Sequence, residues 1–162
     1  MKKISFNLIA VVVLLLSINA CKPKNAGNAV SSDAAAKAYV APGKYDQFYN
    51  FVSGGFSGQL ATYGLPSGRL LRVIPVFSVD PEKGWGYSEE TKPMLNTSHG
   101  FVPWDDLHHV QLSKTNGEYD GRWVFGNANN TPRVARIDLK TFRTSEIIEL
   151  PNSGGNHSSP FI

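Results

Sequence analysis

Short segments in which apolar and polar residues alternate make up most of the chain from Lys44 onward. These segments are five to eight residues long, rich in aromatic and β-branched side chains, and separated by glycine, proline and asparagine. A period of two residues is typical of strands that bury one face of a sheet. The pattern therefore predicts an all-β domain over residues 43–162.

Two segment pairs in this region predict β-hairpins. Residues 58–65 and 69–74 flank Pro66, Ser67 and Gly68, which are residues that favour turns. Residues 133–139 and 144–150 flank a second turn at 140–143, and the two hairpins align loosely with each other. This weak internal repeat supports a fold built from similar sheets.

The second half of the domain predicts one antiparallel sheet of four strands, the unit of a β-propeller blade. His157 follows His109 by 48 positions, which is close to the length of a blade, about 40–45 residues. We therefore predict the first blades of a propeller. The strands are expected at 108–112, 122–126, 133–139 and 144–150, with turns at 114–121 and 127–132.

The first twenty residues have the pattern of a secretory signal peptide. Lys2 and Lys3 precede a wholly apolar run at 8–16, which is too short to span a bilayer. Ile18 and Ala20 before Cys21 resemble a bacterial lipoprotein cleavage box. We expect cleavage after residue 20, lipidation of Cys21 and attachment to a membrane in the periplasm; the alternative is ordinary cleavage near Ala20, which leaves a free thiol.

Residues 21–42 are rich in alanine, lysine, asparagine, serine and glycine and contain few large apolar side chains. Such a composition buries too little surface to order itself, so we predict a flexible tether between the anchor and the domain. Cys21 is the only cysteine, which excludes an intrachain disulfide.

The charge of the chain gives no support for nucleic-acid binding. The sequence has 16 basic and 13 acidic residues, and Lys2 and Lys3 leave with the signal peptide. No basic stripe remains to neutralise phosphates. The arginines are scattered among apolar residues and are expected on solvated strand faces; they include Arg69, Arg72, Arg133 and Arg136.

His108 and His109 directly follow Asp105 and Asp106, and two imidazoles behind two carboxylates suit a metal ion. Neighbouring residues of a regular strand point to opposite faces, so the two rings can share a site only where the backbone bends. We expect that bend at Asp105 and Asp106. A carboxylate there can hold an imidazole N–H and orient the ring.

His157 would join the pair if both segments line the channel of a propeller. A set of imidazole ligands favours copper, zinc, iron or nickel. The alternative is that the histidines lie at the surface or form hydrogen bonds in the core. His99 is expected to be a solvated histidine in a long loop that has no strand of its own.

From about Gly43 to Ile162 the chain resembles nitrous oxide reductase, the multicopper enzyme that ends bacterial denitrification. The resemblance rests on the motifs GGFSGQ at 54–59, RLLRVIPVF at 69–77, GWGY at 84–87, DLHH at 106–109, DGRW at 120–123 and RVARIDL at 133–139. Several of these motifs are long and unusual.

The resemblance implies a seven-bladed propeller whose channel holds a four-copper sulfide cluster with seven histidine ligands. It implies that His108, His109 and His157 are ligands and that Asp106 orients them without binding copper. A cupredoxin domain with a two-copper centre would follow. Nitrous oxide is the implied substrate, a c-type cytochrome or cupredoxin the electron donor, and a homodimer the implied assembly; bound calcium is consistent with the family.

Two features depart from the better-known members of that family. The signal lacks a twin-arginine pair, and residues 156–159 look like the branch exported through the Sec pathway. The chain also reaches Ile162 without a cupredoxin domain, which indicates a fragment of a longer protein. Two other functions stay open at this point: a non-enzymatic propeller lipoprotein that binds a protein or glycan, and a zinc or iron hydrolase.

We predict that the fragment is inactive and poorly stable by itself. An open propeller leaves sheet faces and strand edges without their neighbours. Thermal unfolding of residues 43–162, followed by circular dichroism, is expected to be broad. A cooperative transition would contradict this prediction.

Overall fold

The structure is a computed structural model that describes residues 32–154. The chain divides after Lys37 into two units. Within the described range the elements are a helix α1 and nine strands, with a 3-10 helix between the third and fourth strands. Their bounds are α1 Ser32–Ala38, β1 Phe48–Ser53, β2 Gln59–Leu65, β3 Leu70–Pro75, the 3-10 helix Lys92–Leu95, β4 Asn96–Thr97, β5 Gly100–Phe101, β6 Leu107–Thr115, β7 Glu118–Ala128, β8 Arg133–Asp138 and β9 Arg143–Glu149.

Helix α1 lies within residues 21–42, the predicted tether. An exposed ion pair joins Asp33 to Lys37 one turn later, at 2.9 Å, and such a pair contributes only a few tenths of a kcal/mol. The predicted signal peptide and Cys21 lie outside the described residues. Between residues 32 and 154, no helix has the length and apolar character needed to cross a membrane.

The strands form antiparallel sheets, which confirms the predicted all-β class. Sheet 1 has the order β1-β2-β3, and sheet 2 has the order β6-β7-β8-β9. Both predicted hairpins are present, as β2 with β3 and as β8 with β9. The four-stranded sheet expected from the second half of the domain is sheet 2.

The turn between β6 and β7 is much shorter than the predicted turn at 114–121. Both strands continue until only Asn116 and Gly117 separate them, and these two residues have positive φ angles of 52° and 84°. An Asn-Gly pair with positive φ at both positions is the preferred two-residue connection of a hairpin. Similarly, β7 extends to Ala128, so the turn predicted at 127–132 begins two residues later.

A single apolar core lies between the two sheets. Strand β2 buries alternate residues, and so does β8, as a period of two requires. β1 lies against β6 and β3 lies against β9, which is how neighbouring blades of a propeller face each other. The core residues are Leu60, Ile74, Val76 and Phe77 on one side and Leu107, Val124, Ala128, Ala135 and Ile137 on the other.

Arg133 contradicts the expectation that the scattered arginines lie on solvated faces. It begins β8 and is fully buried, whereas Arg69 and Arg136 have side chains that are 49% and 40% exposed. The guanidinium carbon of Arg133 lies 5.2 Å from the ring centre of Phe77. Its charge is balanced by Asp105, which is 1% exposed and whose Oδ2 lies 3.4 Å from Nη2.

The Asp105 carboxylate ties the start of β6 to the loop before β8. It accepts hydrogen bonds from the backbone N–H groups of Asp106 and Asn130, from the Asn130 side chain and from the Thr131 hydroxyl. Burial by itself raises the pKa of Asp105, but these hydrogen bonds and the charge of Arg133 lower the pKa below its ordinary value. Asp105 is therefore ionised in the folded protein.

The Asp105→Asn substitution is expected to destabilise the full-length protein that carries this chain by about 3–5 kcal/mol at neutral pH, because it leaves Arg133 buried without its counter-charge. The folded-state pKa of Asp105 is lowered, so its contribution is present above the ordinary aspartate pKa of about 4 and is lost as the pH falls through the lowered value.

The difference between the unfolding midpoints of the wild type and the variant, measured from pH 7 to pH 3, is expected to shrink as the pH falls below about 4. A difference that stays constant over this range would contradict the assignment of the effect to the Asp105 charge.

Candidate metal centre

Strand β6 places the two adjacent histidines at a break in its pairing with β7. His108 pairs with Asn127, and the next regular pair is Gln111 with Phe125. Between them His109 has a φ of 43°, a left-handed conformation that is uncommon for residues other than glycine. The break is a β-bulge, a feature that re-aims side chains at the ends of strands.

The bulge brings the two imidazole rings together. Their centroids are 5.8 Å apart and their planes are inclined by 63°. A bend was required for the two rings to share a site, and the structure contains one. The bulge lies at His109 itself, inside β6, whereas the expected bend was at Asp105 and Asp106, which precede the strand.

Asp106 lies beside the pair, as predicted from its position in the sequence. Its side chain is 5% exposed, and Oδ2 is 3.6 Å from Nε2 of His108. Oδ1 is buried and accepts no hydrogen bond from the residues that the structure describes. A buried carboxylate oxygen without a donor is costly, so this oxygen is available to a cation or to a donor N–H.

The main chain around Asp106 is held on both sides. Its carbonyl accepts a hydrogen bond from the Asn129 N–H at 3.1 Å, and the N–H of Asp105 donates to the Phe77 carbonyl at 2.8 Å. The N–H of Leu107 donates to the Gly55 carbonyl at 3.1 Å. Backbone groups of loops that flank both sheets thus fix the segment that leads to the histidines.

Gly126, on β7, lies next to the side chain of Leu107 in this segment. A Cβ at Gly126 would lie 2.6 Å from Cδ1 of the buried Leu107, so a larger residue would displace that side chain. The sequence pattern assigned no role to Gly126 and placed Arg133 on a solvated strand face. Two sequence features could have drawn attention to these residues. Gly126 is a glycine within a strand, and Arg133 is an arginine in a run in which apolar and polar residues alternate.

The other two histidines do not add to the described site. His157 lies outside the described residues, and its role as a ligand remains a prediction. His99 is exposed, as expected, but it lies in the two-residue turn between β4 and β5 and not in a long loop without strands. Ser98, beside it, donates hydrogen bonds through N–H and Oγ to Glu149, at 2.6 and 2.9 Å, and these bonds lower the pKa of Glu149.

Within residues 32–154, no group of three or more histidine, cysteine, aspartate or glutamate side chains is arranged to hold a metal ion. The described part of the chain therefore contributes two neighbouring imidazoles and a buried carboxylate to the candidate centre. This set can supply two ligands and one group that orients them.

Comparison with known proteins places the chain beside one enzyme family. It is 40% identical over 129 residues to the nitrous-oxide reductase of Pseudomonas fluorescens, a match that covers 80% of the chain and 20% of that protein. It is 40% identical over 121 residues to the enzyme of Stutzerimonas stutzeri and 36% identical over 156 residues to that of Ralstonia nicotianae, covering 75% and 88% of the chain.

No family model matches the chain. The chain spans 19–24% of the length of these relatives, and each of them is named nitrous-oxide reductase. Over most of its own length the chain is therefore similar to nitrous-oxide reductases, of whose length it spans about one fifth.

Proposed function

We propose that the full-length protein carrying this chain reduces nitrous oxide to dinitrogen and water at a four-copper sulfide cluster. The observation that carries the proposal is the left-handed His109, which brings the rings of His108 and His109 to 5.8 Å beside the buried Asp106. This geometry occurs within a chain that shares 36–40% identity with enzymes named nitrous-oxide reductase.

The donor set fits copper. Imidazole nitrogens are ligands that copper prefers, whereas calcium and magnesium prefer oxygen. The buried Oδ1 of Asp106, which has no donor among the described residues, fits a nearby positive charge or an N–H group polarised by a metal. His108, His109 and His157 would hold the cluster, together with ligands from the rest of the protein. When bound, copper would supply electrons and a Lewis acid for cleavage of the N–O bond.

In this proposal, His108 and His109 are ligands to the metal and Asp106 orients the ring of His108. His108 and His109 belong to β6, so the strand and its bulge determine where their rings lie. Asp106 lies 3.6 Å from His108 Nε2 and would limit rotation of that ring through attraction to its N–H. Rigid ligands keep a site ready for reaction, because less reorganisation is needed when the substrate binds.

The remaining partners are proposals from the same family resemblance. An electron donor such as a c-type cytochrome or cupredoxin would deliver electrons through a two-copper centre in the part of the protein outside this chain. The full-length protein would form a homodimer, and bound calcium is consistent with the family. Lipidation at Cys21 would anchor the protein to a membrane in the periplasm.

The His108→Ala and His109→Ala substitutions are expected to lower the copper content and abolish nitrous-oxide reduction in the full-length protein, because each removes a ligand. Copper per protein after anaerobic purification is measured by elemental analysis, and nitrous-oxide consumption by gas chromatography. His99→Ala is the matched control, since His99 is exposed in a turn, and is expected to behave like the wild type. A wild-type protein that contains zinc, or no metal, would refute the reductase proposal.

The mature protein is expected to begin at an acylated Cys21. Mass spectrometry of the N-terminal peptide would show the added mass of the lipid, and the Cys21→Ser variant would lose both this adduct and membrane association. An unmodified cysteine in the wild-type peptide would refute the lipid anchor and leave the proposed enzyme activity unaffected.

A further inference from the structure

The ion pair between Arg133 and Asp105 is connected to the candidate metal centre through one residue of main chain. Asp105 precedes Asp106, and the Asp106 N–H donates to Asp105 Oδ1 at 2.8 Å. Any shift of the Asp105 carboxylate therefore changes the hydrogen bond that fixes Asp106. Asp106 in turn faces His108, with Oδ2 3.6 Å from Nε2.

Thr131 links the two charged groups. Its hydroxyl accepts a hydrogen bond from Nε of Arg133 at 2.7 Å and donates one to Oδ2 of Asp105 at 2.6 Å. Arg133 Nη2 also reaches Asp105 directly, at 3.4 Å. A guanidinium has a fixed planar set of donors, so this arrangement defines the position of the carboxylate more closely than a flexible ammonium group would.

The position of Arg133 is itself set by groups from several parts of the domain. Its guanidinium lies over Phe77, and Nη1 is 3.5 Å from the carbonyl oxygens of Leu95 and Val102. Phe77 lies beyond β3, and its carbonyl accepts the hydrogen bond from the N–H of Asp105. Arg133 therefore contacts the same residue that holds Asp105.

A buried ion pair is not the most favourable way to stabilise a fold. Replacing a buried ion pair by apolar side chains of similar volume is often neutral or stabilising. Here the pair also lies at the start of β6, because Asp105 is two residues before the first residue of the strand, Leu107, and three before His108. We infer that Arg133 and Asp105 are positioning residues for the metal centre, and that they hold the start of β6 so that Asp106, His108 and His109 converge; this inference rests on the proposed function.

The test separates positioning from stability by means of two variants of the full-length protein. Thr131→Val removes the linking hydroxyl with little change of shape. The double variant Asp105→Asn with Arg133→Met removes both charges, so neither is left buried without its partner. Arg136→Met is the matched control, because Arg136 lies on the same strand but pairs with Glu146 at the surface, at 3.2 Å.

The double variant is expected to keep a thermal midpoint near that of the wild type while its copper affinity falls by about 10- to 100-fold, as is usual when a group that orients metal ligands is lost. Thr131→Val is expected to show a smaller decrease in copper affinity. The copper absorption and electron paramagnetic resonance spectra of both variants are expected to change, and those of Arg136→Met are not. Wild-type spectra and copper content in both folded variants would overturn the inference.

Crystal structures of the metal-free proteins give a second measurement that does not depend on activity. The separation of the His108 and His109 rings is expected to depart from 5.8 Å in the double variant and to be retained in Arg136→Met. A separation unchanged in the double variant would overturn the inference. If the wild type itself binds no copper, the proposed function fails, and the ring separation still decides whether the pair positions the histidines.

Discussion

Taking a guanidinium and a carboxylate out of water costs several kcal/mol for each ion, and their attraction offsets this only when hydrogen bonds satisfy the remaining donors and acceptors. Arg133 and Asp105 meet that condition, because Asn130, Thr131 and the Asp106 N–H donate hydrogen bonds to the carboxylate of Asp105. The pair joins the start of β6, the loop before β8 and the Phe77 segment. Through these contacts the pair connects segments that flank both sheets, at the point where the strand that carries His108 and His109 begins.

The candidate centre combines a rigid support with a local departure from strand geometry. A regular strand would direct His108 and His109 to opposite faces. The left-handed His109 costs conformational energy, and the structure around it offsets that cost. Gly126 leaves room for the buried Leu107 side chain, and the carbonyl of Asp106 accepts a hydrogen bond from the N–H of Asn129. Outliers of this kind concentrate at functional sites, which agrees with the proposed role in ligand binding.

Sequence similarity and structure support different parts of the proposed function. The chain is 36–40% identical to nitrous-oxide reductases over about one fifth of their length. Over residues 32–154 the structure shows two facing antiparallel sheets and the short β4-β5 pair, with two imidazoles and one buried carboxylate at the start of β6. Because the chain spans about one fifth of the length of these relatives, the reaction is proposed for the full-length protein.

The sequence by itself determined the all-β class, both hairpins and the four-stranded sheet, because alternation and turn residues are local properties of the chain. It also indicated His108, His109 and Asp106 as candidates through their adjacent donor groups. It did not predict that Arg133 is buried, that the bulge lies at His109, or that Gly126 packs against the Leu107 side chain. Only the tertiary structure decided these three features. Each results from contacts between segments distant in sequence, and an arginine or histidine in an alternating run has the same local pattern whether it faces water or a buried partner.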